Sequence, residues 1–134
     1  MYLYKDDGTI FTKDFIQPNN FLLATFDPKL ESAINLQAIT DSIVAEAKYS
    51  DIQQLCLENP DFELSCRKGI ENRVNEIHQR IESFATTDSK ERYLQFKKEY
   101  GKVEALIPQH LIASYLGITP TQLSRIRKSI NICK

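Results

Sequence analysis

The alternation of apolar and polar positions changes period near residue 50. Before it, short apolar runs are separated by turn residues. Tyr2-Leu3-Tyr4 runs into Lys5-Asp6-Asp7-Gly8-Thr9, and an Asp-Gly step between apolar runs is a strong hairpin signal. Ile10-Phe11 and Phe15-Ile16 follow, then the breaker Gln17-Pro18-Asn19-Asn20. Phe21-Leu22-Leu23-Ala24 leads to a second breaker, Asp27-Pro28. Residues 33–39 alternate apolar and polar as a half-buried strand does, and Ile43-Val44-Ala45-Glu46-Ala47 reads as one more. The first 50 residues are therefore expected to hold at most four or five short strands, a sheet whose edges need cover.

After residue 50 the period becomes helical. Residues 50–55 form a short capped helix, broken by Asn59-Pro60. Ile70, Val74, Ile77, Ile81 and Phe84 then recur at spacings of four and three, and Cys66 extends the series one turn back. This is a heptad seam with polar flanks, which favours a partner helix over burial on the chain's own core. Cys66, Ile70, Val74, Ile77, Ile81 and Phe84 are the expected dimer interface. Asp88-Ser89-Lys90-Glu91 is a capping box opening a helix that runs to Tyr100, where Gly101 stops it.

The stretch 109–128 is the most informative. Pro108 suits the first turn of a helix over 109–116, and Gly117 allows a sharp left-handed turn. Thr119-Pro120-Thr121-Gln122 combines an N-cap, a first-turn proline and a T-x-x-Q box, so a second helix covers 120–130. Two short helices joined by a glycine turn define a helix-turn-helix. Ala113 is small where the helices would touch, and Leu123, Ile126 and Ile130 form the buried face of the second.

Composition sharpens this picture. The chain has 134 residues, 42% hydrophobic and 26% charged, which suits a folded protein of one or two small domains. The net charge of -1 hides an asymmetry. Residues 1–84 carry 14 acidic and 8 basic side chains, whereas residues 85–134 carry 4 acidic and 9 basic. A basic C-terminal portion points to a polyanion partner. No run is long and apolar enough to span a membrane, and no secretory signal opens the chain. Cys56, Cys66 and Cys133, an odd number without pair spacing, fit a reducing compartment, so a cytoplasmic location is expected. No nucleophile elbow, phosphate loop, H-E-x-x-H or Cys/His zinc cluster occurs, so neither catalysis, a metal nor a cofactor is expected.

The polar face of the second helix has the chemistry for duplex DNA. Arg125 can donate two parallel hydrogen bonds to guanine, and Gln122 can pair with adenine. Thr121 and Ser124 suit bases or phosphates, and Arg127 and Lys128 suit phosphates. Thr119 opens the helix. Gln109 and His110, at the start of the first helix, could hold a phosphate on free N–H groups.

With these residues in view, the sequence resembles the Crp/Fnr family of bacterial transcription regulators, in the style of its Bacteroidetes branch. The likeness is carried by Glu91-Arg92-Tyr93-Leu94-Gln95-Phe96, by 107–119 and by Leu123-Ser124-Arg125-Ile126-Arg127-Lys128. More weakly it covers nearly the whole chain. The family places a cyclic-nucleotide-binding-like β-roll before a long dimerisation helix and a winged helix-turn-helix. The resemblance thus implies an α+β protein: a partial β-roll over 1–55, a dimerisation helix with its lead-in over 56–86, and a winged-helix-like DNA-binding domain over 87–134. Three departures matter. Met1 would fall in mid-roll, so either the gene start is called too late or the regulator is shortened. Asn19-Asn20 and Glu31-Ser32 stand where cyclic-nucleotide binders carry Gly-Glu and Arg-Ser, so no cyclic AMP response is expected. The end at Lys134 leaves little for a wing. The function implied is a homodimeric regulator reading a near-palindromic operator in double-stranded DNA. The alternative is a truncated interaction module that pairs with a full-length relative through residues 66–84.

Overall fold

A computed structural model describes residues 1–22 and 29–132. Strands Tyr2–Tyr4 (β1) and Ile10–Thr12 (β2) form an antiparallel hairpin with Leu3 opposite Phe11. The Asp-Gly signal closes it. Asp7 Oδ1 accepts from the Thr9 N–H and hydroxyl at 2.8 and 2.6 Å, and Gly8 takes φ +77°. Those hydrogen bonds, the side-chain one foremost, hold the Asp7 carboxyl below its ordinary pKa.

The sheet goes no further among the described residues, and both hairpin edges are taken. Tyr2 exchanges two backbone hydrogen bonds with Asn35, at 3.0 and 2.8 Å, in an isolated bridge. On the other edge, the Thr12 N–H donates to Ser114 Oγ and the Ser114 hydroxyl donates to the Ile10 carbonyl, both at 2.8 Å. The alternating run 33–39 therefore has no ladder to join beyond Asn35. Residues 43–47 stay irregular, with Ile43 and Val44 in solvent. Phe15 leaves strand geometry to enter the core. Leu23 and Ala24, in the run 21–24, lie outside the described residues. The partial β-roll expected for 1–55 is thus corrected: the protein is mostly helical, with one two-stranded hairpin.

Five α-helices follow among the described residues: Tyr49–Glu58 (α1), Pro60–Thr86 (α2), Ser89–Tyr100 (α3), Gln109–Leu116 (α4) and Pro120–Ile132 (α5). Asn59 alone separates α1 from α2. Its side chain accepts from the Phe62 N–H at 3.0 Å while Pro60 takes the first helical position. The Asn-Pro pair thus both ends one helix and starts a longer one than the heptad predicts. Asp88 caps α3 by accepting from the N–H groups of Lys90 and Glu91, both at 2.8 Å. Gly101 follows α3 in right-handed geometry, so a left-handed stop is not its role. A side chain there would press on the Lys97 carbonyl. No strand among the described residues follows α5, which runs on through Ile132; the winged-helix-like expectation is corrected to a three-helix unit.

One core serves the whole. Tyr93, Phe96 and Tyr100 of α3, Ile107, the α4 residues Leu111, Ile112, Ala113 and Leu116, and Leu123 of α5 bury together, and Phe15 joins them from behind the hairpin. The Phe15 ring lies 5.3–6.0 Å from those of Phe96, Tyr100 and Tyr115. The segment 87–134 is therefore completed by residues from the N-terminal hairpin.

Arg80 of α2 fastens these parts. Its guanidinium donates to the carbonyls of Thr12 (3.1 Å), Lys13 and Tyr115 (2.8 Å) and lies 4.0 Å from the Tyr115 ring centre. Nearby, buried Asp14 pairs with Arg73 of α2 and accepts from the Tyr100 hydroxyl at 3.4 Å.

Replacing Arg80 by Met leaves these carbonyls without their donor and should cost about 2–4 kcal/mol, read as a lower urea midpoint. Arg80→Lys should recover less than half, because an ammonium lacks the planar fork. A second prediction concerns alkali. Burial raises the phenols of Tyr93, Tyr100 and Tyr115 above their ordinary 10.0. The folded chain then holds those protons more tightly than the unfolded one, so their stabilisation is complete below about pH 10 and is lost as pH rises further. The urea midpoint should fall above about pH 10, and Tyr115→Phe should blunt the fall.

Candidate nucleic-acid interface

α4 and α5 stand either side of a turn built on Gly117. Gly117 takes φ +69°, ψ +32°; its N–H donates to Ser114 O (3.2 Å) and that of Ile118 to Ala113 O (3.0 Å). This pairing satisfies carbonyls the helix end would otherwise leave open. Glycine is also needed for space, since a Cβ there would sit 2.9 Å from the Phe84 ring. Ala113 is fully buried where close helix approach requires a small side chain.

The start of α5 is held reciprocally. The Gln122 N–H donates to Thr119 Oγ1 at 3.2 Å, and the Thr119 N–H donates to Gln122 Oε1 at 2.8 Å. Gln109 donates to the Pro120 carbonyl at 3.0 Å, tying the starts of the two helices together. Leu123 is fully buried, with Ile126 and Ile130 packed on the core.

The expected DNA-contacting residues separate into two groups. Thr121, Arg125 and Lys128 are exposed on one face, with half-buried Ser124 beside them. Arg125 and Lys128 have no polar partner among the described residues. His110 is exposed at the start of α4. Gln122, Thr119 and Gln109, by contrast, are committed to caps. Arg127 turns inward: it pairs with Glu104 at 2.8 Å, donates to the Tyr93 hydroxyl at 3.2 Å and is 29% exposed. The phosphate-contact role expected for Arg127 is corrected to an internal tie from α5 to α3. At about 100° per residue Arg127 lies nearer Leu123 and Ile130 than Arg125, which was the signal for that role. Gln122 spends on its cap the oxygen that bidentate adenine pairing needs.

The expected dimer seam divides as well. Ile70, Val74, Ile77 and Ile81 are 41–62% exposed, an apolar stripe along α2. Cys66 instead joins the partly buried residues facing α1. Phe84 is 41% exposed, but its ring lies against Gly117 and between two guanidinium groups, 5.6 Å from Arg80 and 5.2 Å from Arg92. Arg92 in turn donates to the carbonyls of Thr87 (2.6 Å) and Leu116 (3.3 Å). Sequence reasoning left out Arg80, Arg92 and Ser114. Arg80 lies three residues after Ile77 and four before Phe84, and a cation on the seam side of a heptad helix marks a docking residue.

Among the described residues no helix is long and apolar enough to cross a membrane, and no His, Cys, Asp and Glu group is placed to hold a metal ion. Comparison with protein-family models, curated proteins and solved structures finds no match to this chain.

Gly117→Ala should destabilise the turn by about 2–4 kcal/mol, combining left-handed strain with displacement of the Phe84 ring. Thermal unfolding of the full chain reads this directly. A loss smaller than that of Ala113→Gly would mean the turn tolerates a side chain.

Proposed function

We propose that this chain is a homodimeric, sequence-specific DNA-binding transcription regulator whose α5 enters the major groove. The carrying observation is the exposed, unpartnered pair Arg125 and Lys128, set with Thr121 and Ser124 on a helix whose opposite face is locked in the core. A recognition helix needs this combination: rigid placement, and donors not already spent within the protein. Arg125 reads guanine O6 and N7, Thr121 and Ser124 supply shorter polar contacts, and Lys128 neutralises phosphate. The excess of basic residues in 85–134 favours approach to a polyanion. A second copy covers the Ile70, Val74, Ile77 and Ile81 stripe, and two α5 helices then meet half-sites about 34 Å apart. The resemblance of 107–128 to the Crp/Fnr helix-turn-helix supports this reading for that segment alone. No cofactor enters it.

Selection from a random duplex pool at fixed salt tests the proposal. Recovery of a two-fold symmetric site is expected. Arg125→Ala should cost about 1–3 kcal/mol and relax preference at one base pair of each half-site. Arg127→Ala should lower the melting temperature while leaving the preferred sequence unchanged. Weak, salt-sensitive binding without a consensus overturns the proposal in favour of a module that pairs with a longer chain.

A further inference from the structure

α1 is the least anchored helix. It has ten residues, no buried side chain and no side-chain cap at Lys48. A helix of that length is marginal in water alone, so its contact with α2 must hold it. Ile52 and Cys56 are its only partly buried residues. On α2, Phe62, Glu63, Cys66, Gly69 and Arg73 form the partly buried stripe of the N-terminal half. The single-residue link at Asn59 folds α2 back so that the Cys66 thiol meets the Cys56 thiol in a hydrogen bond. Both cysteines are free thiols. Burial first, and then the contact with Cys56, raises the Cys66 pKa above its ordinary value.

We infer that Cys56 and Cys66 are a paired modification site, at which a low-molecular-weight disulfide such as oxidised glutathione drives an intramolecular disulfide that staples α1 to α2. The Cys56 thiolate attacks one sulfur of the small disulfide, forming a mixed disulfide and releasing one small thiol. Cys66 then loses its proton to solvent and attacks the Cys56 sulfur, releasing the second. Two protein thiols are oxidised and one small disulfide is reduced to two thiols. Cys56 attacks first because Cys66 holds its proton to higher pH. The product fixes a weakly held helix beside the N-terminal end of the exposed α2 stripe. Nothing in this step depends on DNA binding.

The test uses the full chain carrying Cys133→Ser, incubated with oxidised and then reduced glutathione at mildly alkaline pH. Intact mass should fall by two hydrogens with no lasting adduct and return on reduction. Hydrogen exchange over 49–58 should slow at least about tenfold on oxidation. Cys56→Ser and Cys66→Ser, checked for unchanged helix content, should each trap a stable mixed disulfide or remain unmodified. A lasting adduct on the unsubstituted pair, cross-linking only between chains, or unchanged exchange over α1 would each overturn the inference.

Discussion

A single guanidinium decides how this chain closes. Arg80 keeps its charge even though burial lowers its pKa, and a charge partly removed from water must be repaid by donors and acceptors that fit it. Its acceptors are the carbonyls of Thr12, Lys13 and Tyr115, which come from the end of β2 and the last turn of α4. The Tyr115 ring covers its face. These groups are far apart in sequence, so satisfying one charge requires the hairpin, α2 and α4 to meet in one arrangement. The same contacts help seal the outer edge of β2, which would otherwise invite another strand.

From Arg80 the constraint reaches α5 through Phe84. The ring lies between Arg80 and Arg92 and against Gly117, whose left-handed turn sets where Thr119 begins the next helix. Farther along α5, Arg127 is held by Glu104 and Tyr93. Three arginines thus work inside the protein, donating to carbonyls or to a carboxylate and each lying over an aromatic ring. Arg125 is the contrast, exposed and unspent. Basic residues near a presumed DNA-reading helix are not equivalent, and counting them would overstate its free charge.

Much of the helical half was legible because its signals are local. Asp88, Gly117 and the Thr119–Gln122 box each act within a few residues, and each does what its chemistry predicts. The hairpin was legible for the same reason, through Asp7 and Gly8. The remaining strands were not, because a strand is defined by a partner rather than by its own alternation. Residues 33–39 have the right period but meet an available edge only at Asn35. Asn59-Pro60 was ambiguous for a related reason: one dipeptide ends a helix and opens another with equal propriety. Side-chain commitment was the hardest to read. Gln122 satisfies both the capping box and the adenine-reading pattern, and the cap is the partner within reach.

The exposed stripe on α2 bears on how such a protein would use two binding heads. Ile70, Val74, Ile77 and Ile81 each keep roughly half their surface in water. Covering all of them in two copies would contribute on the order of 8 kcal/mol, taking about 1 kcal/mol for each half-exposed aliphatic side chain. Association itself costs about 4–15 kcal/mol in lost freedom. The two terms are of the same size, so the stripe alone supports a weak, concentration-dependent pair. A symmetric operator changes the balance, because one bound copy raises the effective concentration of the next. Pairing and DNA reading would then each be weak separately and strong together, and an isolated chain with a largely solvent-facing heptad is what that division of labour requires.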